Sequence, residues 1–357
     1  MNLITIVLTT AVVLTVLSLI LLVITIGLRM ATDRRLRRDA EFRTKAKPIL
    51  RSFLSGEASL EAAKAALSHD SHRAIQLLLE ESDSLGEKGR MKLHPLLALM
   101  PVEKDMMNHI TSRRWEKRLR SAEYLGYLGD DSALPALMTA LRDDVLAVRF
   151  AAANSLARLG CQNAVEPILK ALDVPGEVSQ RRVVEVLQIL GPGVSEQILT
   201  ILNDSSGNPT SLAIAARMAG SLRIERSMQA LCGLLRNENA NIRINSIRSL
   251  ASINDHSVTD QIAALGEDPS WEARSSVMLA LGRLGATQQI PLLLQGLSDR
   301  EWWVRYNAAE ALYTLGETGI AALKEAVDHH VDAYGRDMSR QILQEHGDIQ
   351  STKEINS

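Results

Sequence analysis

Histidine and cysteine are the residue types of this chain best suited to metal binding or nucleophilic chemistry. Its eight histidines and two cysteines form no recognisable site. His69 and His72 share a helical face without a cysteine or carboxylate partner, no H-E-x-x-H motif is present, and Cys161 and Cys232 make no C-x-x-C pair. We therefore predict no catalytic residue, no metal site and no cofactor. We interpret both cysteines as reduced, small apolar residues.

Aromatic side chains form the one constellation that stands out. All four tryptophans lie at the predicted starts of helices, and three of them occupy the same place, three residues before an arginine. Because large aromatic residues are enriched where proteins bind each other, a patch on neighbouring helix starts is one interpretation. The alternative is that each ring packs on its own inter-helix turn. The predicted partner-binding residues are Trp271, Trp302, Trp303, Tyr306 and Tyr313.

The frame around these tryptophans recurs along the chain. Residues 302–316 read WWVRYNAAEALYTLG, and the earlier residues 271–285 read WEARSSVMLALGRLG. Apolar residues at i, i+3, i+4 and i+7 form one helical stripe, and the final glycine suits a left-handed cap. Further copies stand at 115–129, 146–160 and 240–254, with Asn254 in place of glycine, and a degraded copy ends at Gly347. Self-similarity at a fixed period, here about 30 residues, predicts a stacked repeat array.

A shorter helix is predicted before each of these helices. Pro135, Pro167 and Pro291 fall in its first turn, where the missing N–H costs nothing. Each unit is then two antiparallel helices that bury their stripes by stacking. Residues 175–224 lack the arginine that stands fourth in each of the other copies, which we call the arginine frame. This segment also contains Pro175-Gly176 and Gly191-Pro192-Gly193, so we expect looser packing or altered curvature there.

The composite frame, L-x-x-L-x-D followed after a short gap by V-R-x-x-A-A-x-x-L-x-x-L-G, resembles the HEAT repeat in its short, phycobilisome-lyase-type form. The resemblance covers roughly residues 113–347 and implies an all-α, right-handed α-solenoid. In HEAT families, aspartate and arginine side chains form a ladder that ties neighbouring units together. The resemblance assigns that structural role to Asp143, Arg149, Arg243, Asp268, Arg274, Asp299 and Arg305.

The N-terminus has a different character. The first 28 residues contain no charged side chain, and residues 3–28 are long enough to span a bilayer. A cleavable signal peptide is disfavoured because the run is long and lacks a basic start. A cluster of arginines and lysines follows at 29–47, which places the rest of the chain in the cytoplasm by the positive-inside rule.

The predicted organisation is a transmembrane helix at 1–29, a basic juxtamembrane linker at 30–47, a helical N-terminal cap at 48–112, the repeat array at 113–347 and a disordered tail at 348–357.

These features predict a single-pass membrane protein with a cytoplasmic repeat domain. A net charge of −2 and mixed charges along the second helices (Glu123, Asn154, Glu185, Arg248, Glu310, Gln341) argue against nucleic acid. We expect a non-enzymatic scaffold or adaptor for another, membrane-associated protein, with envelope or polysaccharide machinery of an inner membrane as one candidate client. The alternative is a lyase-like enzyme or chaperone acting on a tetrapyrrole or a protein. The oligomeric state is left open.

Overall fold

The computed structural model describes residues 3–68, 70–84, 92–93, 95–96, 103–128, 130–174, 179–204 and 207–349. Within these residues the chain is helical and contains no β-strand, as the repeat pattern predicts. It divides into two compact units, residues 1–133 and 134–357. The predicted stop at Gly129, the Pro175-Gly176 step and residues 350–357 of the predicted tail lie outside the described residues.

The first unit is organised around one long helix. Its helices are α1 (Leu3–Ser55), α2 (Leu60–Leu67), α3 (Ser71–Ser84), α4 (Glu103–His109) and α5 (Trp115–Leu128). The C-terminal part of α1 contacts α2 and α3 and buries Ala46 and Leu50. The segment predicted as a basic linker at 30–47 is therefore part of α1 and continues without a break into this core.

Basic residues of that segment make specific contacts. The guanidinium of Arg43 donates two hydrogen bonds of 2.7 Å to the Glu80 carboxylate, and Lys47 Nζ lies 2.7 Å from Glu81 Oε1. Both acids belong to α3. Some of the charges interpreted from the sequence as topology signals therefore also attach α1 to its neighbour.

The N-terminal part of α1 is uncovered in the structure. The helix is long and apolar enough to cross a membrane, with a mean hydropathy of 1.9 in its most apolar window and none of that window buried. Leu21, Val23 and Leu28 are more than 60% exposed. A core helix of a soluble domain would instead cover such side chains.

The second unit is a succession of paired antiparallel helices. The pairs are α6 (Leu134–Ala140) with α7 (Leu146–Arg158), α8 (Val165–Leu172) with α9 (Gln180–Gln188), α10 (Ser195–Asn203) with α11 (Pro209–Ser221), α12 (Met228–Leu234) with α13 (Ala240–Ile253), α14 (Thr259–Ala263) with α15 (Trp271–Arg283), α16 (Ile290–Gly296) with α17 (Trp302–Thr314), and α18 (Glu317–His329) with α19 (Ala333–Glu345). Successive second helices contact one another, as in an α-solenoid. The frame leucines Leu156, Leu281 and Leu312 are fully buried, as predicted.

The helix stops of the repeat have positive φ angles, a backbone conformation that favours glycine. Positive φ angles occur at Gly160, Gly191, Gly285, Gly316 and Gly347. Asn254, which replaces glycine in its copy, has φ 66° and ψ 43°. Asparagine tolerates this conformation better than most residues, so the substitution preserves the cap.

The part of the array without the arginine frame is still a regular repeat. Arg223 has a φ of 50° and occupies the stop position between Gly191 and Asn254. Along the chain, Arg223 is one residue farther from Gly191 than from Asn254, which corresponds to a single insertion. Because of this insertion and the loss of glycine, the sequence pattern did not reveal this copy of the repeat. The expected loosening is absent at the contact of α11 with α13, where a Cβ on Gly220 would lie 2.4 Å from Ser249 Oγ.

Candidate functional site

The predicted arginine–aspartate ladder is assembled at two consecutive steps. Arg243 donates from Nε and Nη2 to the Asp268 carboxylate at 2.7 and 2.6 Å, and Arg274 does the same to Asp299 at 2.6 and 2.9 Å. Each arginine also donates from Nη1 to a carbonyl in the turn before its own helix, at 2.8 Å in both cases. One guanidinium thus connects its own turn to the carboxylate at the equivalent turn of the next unit.

The aspartates have a second partner. Asp268 Oδ1 accepts from the amide of Ser270, and Asp299 Oδ1 accepts from the amide of Glu301, both at 2.9 Å. Burial acts to raise the pKa of both carboxyls, but the arginine hydrogen bond and the amide outweigh it and lower both pKa values. The carboxylates are therefore held ionised, and they fix the turn that begins each second helix.

Two other arginines of the predicted ladder have no acidic residue at the position equivalent to Asp268 and Asp299. At the spacing that separates Arg243 from Asp268, the chain has Val174 after Arg149 and His330 after Arg305. Both arginines keep their carbonyl contact, to Asp143 O at 3.4 Å and to Asp299 O at 2.7 Å, but their Nε atoms are buried without a hydrogen-bond partner. Asp143 itself accepts from the amide of Val145 at 2.9 Å. The resemblance thus placed all seven ladder residues at helix-pair turns, and the structure pairs Arg243 with Asp268 and Arg274 with Asp299.

Three of the predicted aromatic residues form a cluster on the first turns of α17. The ring centroids of Trp302 and Trp303 are 4.7 Å apart and nearly perpendicular, and Trp302 stacks on Tyr306 at 5.0 Å. Trp303 and Tyr306 are 6.3 Å apart, edge to face. The side chains of Trp302 and Trp303 remain 41% and 54% exposed. We call these three residues the aromatic patch.

The other two predicted aromatic residues lie elsewhere. Tyr313 stacks on the His346 ring at 3.9 Å, and a hydrogen bond to Asp348 raises its pKa. Trp271 is half-buried at the start of α15 and, among the described residues, has no ring contact with the patch. Rings from two adjacent units are therefore not joined into one cluster as expected; a single helix supplies all three.

Tyr306 connects the aromatic patch to a groove on the second-helix face. The groove has a volume of about 760 Å³ and runs across α13, α15 and α17. Its walls include the apolar Leu279 and Ala280, the guanidinium of Arg248 and the carboxylate of Glu310. We call it the second-helix groove. The sequence placed Arg248 and Glu310 on this face but gave no sign of a cavity between them.

The residue types suited to metal or thiol chemistry are not gathered together. In the part of the chain that the structure describes, no group of three His, Cys, Asp or Glu side chains is arranged to hold a metal ion. Cys161 and Cys232 are both free thiols. Burial, with a smaller effect of the Asp255 charge, raises the pKa of Cys232, which disfavours its reactive thiolate.

Several solved structures are similar to this chain at low sequence identity. The phycocyanin lyase complex of CpcE and CpcF from Nostoc sp. PCC7120 is 15% identical, with 62% of this chain and 92% of that chain covered and a TM-score of 0.33. The Escherichia coli protein YibA is 15% identical, with 75% and 95% covered and a TM-score of 0.41. Human deoxyhypusine hydroxylase is 21% identical, with 86% and 98% covered and a TM-score of 0.30. No curated protein matches the sequence.

A family model for HEAT repeats matches this sequence at residues 104–188 and 258–344. These limits agree within one residue with the helix pairs from α4–α5 to α8–α9 and from α14–α15 to α18–α19. The match identifies both stretches of the chain as HEAT repeats.

Proposed function

We propose that this protein is a membrane-tethered scaffold or adaptor whose HEAT-repeat array binds another membrane-associated protein on the cytoplasmic side. The observation that carries the proposal is the aromatic patch, which holds two of the chain's four tryptophans in an exposed position. Aromatic anchors surrounded by polar groups are the usual centre of a protein contact. Arg300 and Glu301, directly before the patch, supply such a rim.

The geometry of the patch suits it to this role. Stacking on Tyr306 holds the Trp302 ring, and the Trp303 ring lies perpendicular beside it. Because the three rings are held against one another, little side-chain entropy is lost when a partner covers them. The exposed rings therefore offer apolar area that is already ordered.

We expect Trp303→Ala to weaken partner capture without unfolding the array. The ring is 54% exposed, so its removal leaves no core cavity, whereas loss of a central interface tryptophan typically costs about 2 kcal/mol or more of binding energy. The measurement is recovery of cross-linked partners from membranes with the full chain. Trp115→Ala is the matched control, since Trp115 is 42% exposed at the equivalent helix start of α5. Equal recovery of partners by both variants would show that the aromatic patch is not the binding site. A large drop in the melting temperature of Trp303→Ala would show that Trp303 is a structural residue.

The tether in this proposal is α1. Its uncovered apolar part suits a bilayer, the following arginines and lysines suit the cytoplasmic side, and its C-terminal part is built into the core of the first unit. A continuous helix from the bilayer into the fold would hold the first unit close to the membrane surface. Tethering of this kind raises the local concentration of membrane-bound partners, so weak contacts suffice.

The tether predicts a defined topology. A green fluorescent protein fused after Ser357 should fluoresce, and alkaline phosphatase fused at the same place should be inactive, because the C-terminal domain faces the cytoplasm. As a control, a chain that begins at Met30 should leave the membrane fraction. Phosphatase activity would contradict the orientation, and release of the intact chain from membranes by salt alone would contradict the span.

A further inference from the structure

The second-helix groove is lined by arginines that have no acidic partner within the part of the chain that the structure describes. Arg248 on α13 and Arg283 on α15 line it, and Arg217 on α11 lies close enough to Arg248 to repel its charge. Among the residues that the structure describes, none of the three guanidinium groups forms an ion pair. This contrasts with Arg243 and Arg274, whose charges are matched by ladder carboxylates.

Arg248 is the central member of this set. Its Nε donates to Ser276 Oγ at 3.1 Å, which points the guanidinium into the groove. Burial, and then the charge of Arg217, lower the pKa of Arg248. A cation held next to a like charge is stabilised when an anion joins it, and the described part of the fold provides none for Arg248.

The one acidic group on the groove wall is already engaged. Glu310 Oε1 accepts from the Tyr306 hydroxyl at 3.3 Å and lies 3.2 Å from Nε2 of His346. It belongs to α17, at the opposite side of the groove from Arg248 on α13. Between them lies an apolar floor of Ala280, Ala311 and Leu279, the last of which is 47% exposed.

We propose that the second-helix groove binds an extended acidic segment of a partner protein. A carboxylate of the segment takes the place of the missing ion-pair partner of Arg248, flanked by Arg217 and Arg283. A neighbouring apolar side chain covers Leu279 and reaches the ring of Tyr306. The proposal rests on the proposed scaffold function and extends it, since Tyr306 joins the groove to the aromatic patch.

Charge and shape favour a peptide over a nucleic acid. Phosphates also pair with arginine, but a strand of nucleic acid needs a long basic track. Here three arginines are followed by an aliphatic floor, which accepts an aliphatic side chain. Planar, fork-shaped guanidinium groups match a carboxylate well.

The test selects short random peptides displayed on phage against the full chain in detergent micelles. We expect the recovered peptides to be enriched in aspartate or glutamate beside an apolar residue. In fluorescence anisotropy, Arg248→Gln should then weaken the best peptide at least about tenfold, since charge-assisted hydrogen bonds are lost. Replacing the acids of that peptide by their amides should do the same.

Two controls make the result decisive. Arg236→Gln removes an exposed arginine outside the groove and should leave affinity unchanged, and an unaltered melting temperature of Arg248→Gln excludes misfolding. Failure to recover acidic peptides, or equal binding by Arg248→Gln, overturns the assignment. Displacement of the peptide by oligothymidine that itself needs Arg248 would replace it with a nucleic-acid site. Peptides whose binding depends on Trp303 but not on Arg248 would contradict the groove assignment and would still support the scaffold function.

Discussion

The Arg274→Leu variant is expected to lose about 3–5 kcal/mol of folding free energy, although it replaces only one side chain of a two-residue ion pair. The side chains of Arg274 and Asp299 are 8% and 13% exposed. Leucine fills part of the volume but leaves the Asp299 carboxylate buried with no counter-charge, and it also removes the hydrogen bond to Asp268 O. Urea unfolding of the full chain in detergent, followed by circular dichroism, measures the loss.

A surface pair supplies the control. Arg340 and Asp337 lie 3.2 Å apart on α19, with side chains 43% and 73% exposed. Arg340→Leu should change stability by no more than about 1 kcal/mol, because exposed pairs are screened by solvent. In the double variant Arg274→Leu/Asp299→Asn the charge is absent, while an amide oxygen can still accept from Glu301, so most of the loss should be recovered.

The effect of Arg274→Leu also depends on pH in a definite sense. Because the folded-state pKa of Asp299 is lowered, its ionisation stabilises the fold above the unfolded value of about 3.9. This contribution disappears as the pH falls through the lower, folded-state pKa. The gap in stability between wild type and Arg274→Leu should therefore be full at neutral pH and narrow below about pH 4. A gap of the same size at pH 3 and pH 7 would show that packing, not charge, accounts for it.

The repeat was predictable from the sequence because its rules are local. A stripe of apolar residues and a cap residue act within one helix, so Leu281 and Asn254 could be placed in the core and at a helix end directly. Arg223 was missed because an arginine at a left-handed position gives no signal in the sequence, and a single insertion shifts the period. Whether Arg305 pairs with a carboxylate depends on which residue of the next unit lies opposite it. The packed structure is needed to show which positions of neighbouring units face each other.

The candidate sites were predicted less completely for the same reason. Neighbouring residues on the first turns of one helix, Trp302, Trp303 and Tyr306, were correctly expected to lie together. Tyr313 instead stacks on His346, at the end of the following helix pair. The repeat pattern of the sequence does not predict that contact. The second-helix groove arises where three helices leave space between them, so its volume and the place of Arg248 on its wall depend on the packing of all three.

Substitution of Gly282 is expected to destabilise the array for a steric reason. It is where α15 approaches α17: a Cβ added to it would lie 2.8 Å from both Cα and Cβ of Ala311. The Ala311 Cα is backbone and cannot turn away, so the two helices must separate. We expect Gly282→Ala to cost about 1–3 kcal/mol despite the better helix propensity of alanine, and Gly282→Leu to cost more.

Gly233→Ala provides the matched comparison, since Gly233 also lies in a helix, α12, but a Cβ there would meet nothing within 4 Å. That variant should gain up to about 1 kcal/mol from propensity alone. Because repeats contact mainly their neighbours, Gly282→Leu should raise amide exchange in α15 and α17 while α7, around the buried Leu156, keeps its protection. Equal loss of protection in α7 would mean that the second unit unfolds as one cooperative block, and an unchanged stability of Gly282→Ala would mean that α15 and α17 can move apart at little cost.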